Sequence, residues 1–214
     1  MGIKAVKDEN YVEDFLKILE MLEGKVIKVG ILSDEPKKVS DDKESEVTLL
    51  KVAGAHEFGA HITPKKSKYL TIPLSKEYNA VKASEVSGLF FYKSDNGNAF
   101  LARKKGKRGK LELCYLLKTS VDIPERSFIR AGYDENEDNI AKRVEILIED
   151  VFSGKINIDR FYEFVGNYCV GRIQEYMRDL DTPALNPITA TNKGSSNPLE
   201  NTHQMLNAIT FEII

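Results

Sequence analysis

The chain has 214 residues and a formal net charge of -2. Hydrophobic residues make up 42% and charged residues 30%, the mix of an ordinary globular protein. These figures exclude a wholly disordered chain, a collagen or coiled-coil rod, and a global basic field for nucleic acid. Apolar runs are only a few residues long, too short for a spanning helix of about 20 residues. The segment MGIKAVKDEN has no apolar core of the kind a secretory signal carries, so no such signal and no membrane partner are expected. Cys114 and Cys169 share no C-x-x-C spacing and lie in apolar segments, where two buried thiols are expected.

Taken in chain order, Asn10 followed by Glu13 reads as a helix start. Val12, Phe15, Leu16, Leu19 and Leu22 then share one helical face, and Gly24 ends the helix. Residues 26–32 read as a strand, and the charged residues 33–46 as a mobile loop. Val47, Leu50, Ala53 and Ala55 mark a short helix that Gly59 stops. Residues 69–73 read as a strand. Segments 89–93 and 99–103 flank Asn96-Gly97, a strong hairpin signal, and a second turn at 105–109 leads to a strand over 111–118.

Ile140, Val144, Leu147, Ile148 and Val151 have helical spacing up to Gly154. Asp159 is positioned to cap a second helix whose stripe runs from Phe161 to Leu180. Residues 181–202, with Pro183, Pro187 and Pro198, read as an extended connection. Thr202 is then placed to cap a short helix over Met205, Leu206 and Ile209, ahead of a strand over 210–214. The expected fold is α+β over residues 1–214 as one domain. An antiparallel meander with long hairpins packs against two longer helices, with shorter helices near both ends and mobile loops at 33–46, 103–110 and 181–202.

Chemical motifs are few. His56 and His61 stand five residues apart, about 140° from sharing the face that an H-E-x-x-H zinc site needs, and Gly59 intervenes. The sequence carries no Walker A, Rossmann or G-x-S-x-G pattern, and Cys114 has no neighbouring His. No catalytic residue, metal ligand or cofactor is therefore expected. Arg103, Lys104, Lys105, Lys107, Arg108 and Lys110 form a basic hairpin. It reads as a phosphate-contacting element, as a solvated tip that discourages edge pairing, or as a loop facing DNA in the lumen of a ring.

Three segments carry a resemblance. They are Ala53-Gly54-Ala55-His56-Glu57-Phe58-Gly59, then Ile123-Pro124-Glu125-Arg126-Ser127-Phe128-Ile129-Arg130, then KGSSNPLENTHQMLNAITF over 193–211. In that order they resemble the A-x-x-x-E-F-G, I-P-x-R-P-F-(L/I/M)-R and K-G-S-x-x-P-L-x-D-T-G-x-L-x-x-S-I-x-(Y/F) segments of bacteriophage neck and tail-completion proteins. Here Ser127 replaces a Pro, Asn201 and His203 replace the Asp and Gly of D-T-G, and Ala208 replaces a Ser.

The resemblance implies a non-enzymatic virion protein of a phage or prophage, at the head–tail junction or tail terminus. It implies self-assembly into a ring, most often six-fold, and docking on neck, connector, tail-tube or terminator proteins. DNA would be at most a passive contact in the lumen. Glu57, Phe58, Gly59, Ile123, Pro124, Arg126, Phe128, Pro198, Leu199, Thr202 and Leu206 are the candidate assembly residues, with core packing the alternative for each. A bidentate Arg126–Glu57 pair is expected to tie the first two segments together. The rival reading is a small nucleic-acid-associated module that uses the basic hairpin.

Overall fold

The computed structural model describes residues 9–32, 48–79, 81–106, 109–193, 197–199 and 203–214. The loop expected over 33–46 lies outside them, as do Lys107, Arg108 and Thr202. The architecture is α+β, as the alternation of patterns predicts.

Helix α1 spans Glu9–Leu22, with Asn10 inside it and Gly24 at positive φ just beyond. Strand β1, Ile27–Gly30, pairs antiparallel with the last strand, β8, Thr210–Ile213. Helix α2 spans Leu49–Phe58 and is capped by Thr48, whose Oγ1 accepts from the Lys51 N–H at 3.3 Å. It runs straight into β2, Ala60–Ile62, which pairs with β7, Val121–Ile123. Such a three-residue ribbon carries almost no periodic signal, and the sequence does not reveal it.

The meander forms a four-stranded antiparallel sheet, β3–β6–β5–β4. Its strands are β3 Leu70–Pro73, β4 Phe90–Lys93, β5 Ala99–Lys105 and β6 Lys110–Lys118. Half of the segment 103–110 expected as a loop is therefore strand: Arg103, Lys104 and Lys105 close β5 and Lys110 opens β6. One face of the sheet holds a small core of Tyr78, Cys114 and Tyr115, with Ala83, Val86, Leu89 and Leu101 packed on it. Short 3-10 turns at Lys76–Tyr78 and Ala83–Glu85 supply that cover. Of the two long helices, α4 lies on the β1–β8 ribbon and α3 packs along α4, so the layer they form backs that ribbon and not the four-stranded sheet.

Helix α3 spans Arg130–Phe152 and α4 spans Ile158–Asp179. The periodic stripe revealed α3 only from Ile140. Its first ten residues, RAGYDENEDN, are largely polar, and a cap from outside the helix starts it. Asn157, not Asp159, caps α4: its Oδ1 accepts from the Arg160 N–H at 2.9 Å, while Asp159 pairs with Lys25 at 3.2 Å. The two helices enclose Ile140, Leu147, Val151, Phe161, Val165 and Cys169.

The connection expected to be extended over 181–202 contains helix α5, Pro187–Lys193. Pro187 pre-sets the first helical φ, and Asn186 Oδ1 accepts from the Ile188 N–H at 3.1 Å. Helix α6 spans Gln204–Ala208, so Ile209 follows it instead of closing it. It starts from His203 at φ 55°, a left-handed conformation that residues other than glycine rarely adopt.

Gly166 on α4 faces Phe211 of β8 so closely that a Cβ there would overlap the aromatic ring. Gly166→Ala is expected to destabilise the fold by about 1–3 kcal/mol despite the better helix propensity of alanine, because the ring is held by both layers. Urea unfolding of the two proteins measures this, and an unchanged midpoint would show that the α4–β8 contact is loose.

Candidate functional site

The three resembling segments meet at one place. Ala53 of α2, Phe128, and Leu199, Met205, Leu206 and Ile209 of the C-terminal part share a buried cluster with Ile31, Leu49, Ile173 and Met177. Phe128 is fully buried, so its core reading holds. Leu199 and Leu206 are buried in the same cluster, and Pro198 is buried as well.

At the edge of this cluster stands Glu57, only 5% exposed, in the last turn of α2. Its carboxylate faces the start of α3. It accepts from Ser127 Oγ at 2.8 Å and from the backbone N–H groups of Phe128 at 2.8 Å, Ile129 at 3.0 Å and Arg130 at 3.1 Å. Arg130 Nε adds a charged bond at 3.0 Å. The Ala131 N–H goes to Ser127 Oγ at 3.3 Å. The N–H groups that a helix start leaves without intrahelical partners are thus met from two sides, and the negative charge sits at the positive end of the α3 dipole. Burial pushes the Glu57 carboxyl up, but the bonds from Ile129, Ser127 and Arg130 together outweigh it, and the net shift is downward.

The neighbouring residues keep this geometry. Gly59 has φ 72°, and a Cβ there would lie 3.2 Å from Glu125 N and Ile123 O, so close approach and positive φ both call for glycine. Ile123 closes β7, and Pro124 bends the chain out of the ribbon toward α3. The Arg126 N–H donates to His56 O at 2.7 Å.

The expected Arg126–Glu57 pair does not form. The buried Arg126 side chain donates instead to the carbonyls of Pro183 at 2.8 Å and Ala184 at 3.2 Å, tying the second segment to the connection before α5. The arginine on Glu57 is Arg130, which also donates from Nη2 to Glu57 O and Glu125 Oε1, both at 2.8 Å. The sequence contained this residue at the end of the second motif, but the one-turn offset was not readable without knowing where α3 begins. Ser127, a departure from the phage pattern, is a second bridging residue. Phe58 points outward, 66% exposed, with the Arg130 guanidinium 4.6 Å from its ring centre.

The basic hairpin is divided. Arg103 Nε donates to Glu112 at 2.7 Å and its Nη2 to Glu77 at 3.0 Å, and Lys105 donates to Glu112 at 2.8 Å. The bonds from Lys105 and Arg103 hold the Glu112 carboxyl down to about 2. Arg103 and Lys105 are therefore engaged within the sheet, while Lys104 and Lys110 are exposed. Among the described residues no three His, Cys, Asp or Glu side chains cluster as a metal site would, and no helix is long and apolar enough to cross a membrane. Comparison with protein-family models, characterised proteins and solved structures finds no match to the chain.

Glu57→Ala is expected to cost about 2–4 kcal/mol, since it leaves the N–H groups at the start of α3 and Arg130 Nε without their carboxylate acceptor. The pH dependence follows from the sign of the shift. The native pKa lies below the unfolded value of about 4.3, so the contribution is complete above that value and is lost as the pH falls through the native pKa. Acid titration of stability below about pH 5 should be steeper in the native protein than in Glu57→Gln. Equal slopes would remove Glu57 as the acid-sensitive tie.

Proposed function

We propose that the protein is a non-enzymatic structural component of a phage or prophage virion, placed at the head–tail junction or tail terminus. It acts by closing into a ring and docking on neck, connector, tail-tube or terminator proteins. The observation that carries this reading is the convergence of the three resembling segments. Glu57 of the first holds the backbone of the second, and Phe128 packs against Leu199 and Leu206 of the third. Residues far apart in the chain that share one core are what a common fold would require of common motifs.

Exposed aromatic and aliphatic groups add support. Phe58, Phe91 and Leu16 are each more than half exposed and so are open to a partner. Self-association through unlike surfaces gives rings when the rotation closes. The engagement of Arg103 and Lys105 by acidic side chains weighs against the nucleic-acid reading, which would want those cations directed to phosphate.

Light-scattering mass across protein and salt concentration, followed by negative-stain imaging, tests the proposal. Closed rings of uniform diameter are expected. A species that stays monomeric, and binds DNA with a steep salt dependence lost in Lys104→Ala, would replace it by the nucleic-acid module.

A further inference from the structure

The four-stranded sheet has two unlike faces. Residues paired across an antiparallel ladder point to the same side. Phe90, Ala102 and Leu113 therefore share a face with Tyr92, Phe100, Leu116 and Ile72, and with the pair Lys104 and Leu111. Tyr92 and Phe100 are within ring contact at 6.5 Å, which places both on that side. The opposite face carries Leu101 and Tyr115 with the Tyr78 core, and Arg103 with Glu112.

The first face is apolar and partly open, with Ala102 buried between the larger side chains of its neighbours. Phe90, Leu111 and Leu113 are 37–41% exposed, and Tyr92, Phe100, Leu116 and Ile72 are half-buried. At the β3 end, Leu185 and Ile188 stand across a cavity of about 490 Å³ from Ile72 and Leu116. Lys104 and Lys118 border the face, and none of its ladder residues is acidic.

Helix α1 is the complementary object. Ile18 and Leu22 pack on the α3–α4 core, Phe15 stacks on Phe152, and Tyr162 donates to Leu22 O at 3.0 Å. That footing leaves Val12, Leu16 and Leu19 as an outward stripe, 64%, 51% and 40% exposed. At 3.6 residues per turn Glu13 and Glu20 border this stripe on one side. A 14-residue helix is about 21 Å long, comparable with the length of β5.

We infer that α1 of one copy docks its Val12–Leu16–Leu19 stripe on the open face of the β3–β6–β5–β4 sheet of the next copy, with Glu13 and Glu20 directed toward its lysines. The contact joins unlike surfaces, so it propagates head to tail and suits ring closure. The inference rests on the self-assembly reading above and names the surfaces that would carry it. Apolar area supplies attraction, and the opposite charges set orientation and salt dependence.

Two variants test it, Leu16→Asp on the helix and Leu113→Asp on the sheet, both at exposed positions. Light-scattering mass is expected to show assemblies for the native chain and single chains for each variant, with far-UV circular dichroism unchanged. The mixture of the two variants should give a two-chain species and nothing larger, because one intact helix still meets one intact sheet. Lys104→Glu, a change confined to the solvated border, should weaken native association by roughly tenfold and reduce its salt dependence.

Variants that assemble like the native chain would overturn the docking mode and leave the ring reading standing. A mixture that stays monomeric, or disruption by Leu113→Asp alone, would likewise overturn it, the latter in favour of sheet-to-sheet contact. A native chain that is monomeric at every concentration would overturn this contact together with unaided ring formation.

Discussion

The placement of one negative charge governs the arrangement of the chain around it. Glu57 is carried by α2, yet its carboxylate does the capping of α3, some seventy residues later in sequence. Removing a carboxylate from water is costly unless its lone pairs are met. Here backbone N–H groups, a hydroxyl and a guanidinium meet them, and in return the N–H groups of Phe128, Ile129 and Arg130 gain an acceptor. Neither partner is satisfied alone, so the α2–β2 turn and the β7–α3 corner must form together. Gly59 permits the first, Pro124 shapes the second, and the β2–β7 ribbon fixes the spacing between them.

That junction also explains how the two halves of the helical layer are ordered. With the start of α3 fixed, its later turns run along α4, and α4 lies on the ribbon formed by β1 and β8. The early and late parts of the chain are therefore paired across one ladder, with Phe211 seated against Gly166. The four-stranded sheet has a small core of its own. It is stabilised by the Tyr78–Cys114–Tyr115 core and by the Arg103–Glu112–Glu77 network, and Asn192 of α5 joins it to the rest through Pro73 O at 2.7 Å.

Legibility in the sequence follows the same division. The meander and the later turns of α3 and α4 are readable because alternation, Asn-Gly and a 3.6-residue stripe are local signals. The early turns of α3 are not, because their stability comes from Glu57 and not from an apolar face. The β2–β7 ribbon is hidden because three residues carry no period. The start of α5 is readable only if Asn186-Pro187 is taken as a cap followed by the first helical residue, not as another turn proline. Phe128, Leu199 and Leu206, candidates for assembly with core packing as the alternative, lie in the shared core. The choice of Arg130 over Arg126 as the partner of Glu57 depends on helix phase, which no spacing in the sequence sets.

The division of the hairpin into faces changes what its charge means. Read as a run, residues 103–110 are a basic patch. Read on the ladder, alternate residues part company: Arg103 and Lys105 turn to Glu112, while Lys104 turns to the side of Leu111 and Leu113. The period of two thus divides one apparent cationic site into a network paired with acidic side chains on one side and a border charge, Lys104, on an apolar surface on the other. A cation beside an open hydrophobic face favours a partner that is itself apolar and edged with acid. An amphipathic helix meets that description better than a phosphate backbone, which offers charge without the apolar area to cover.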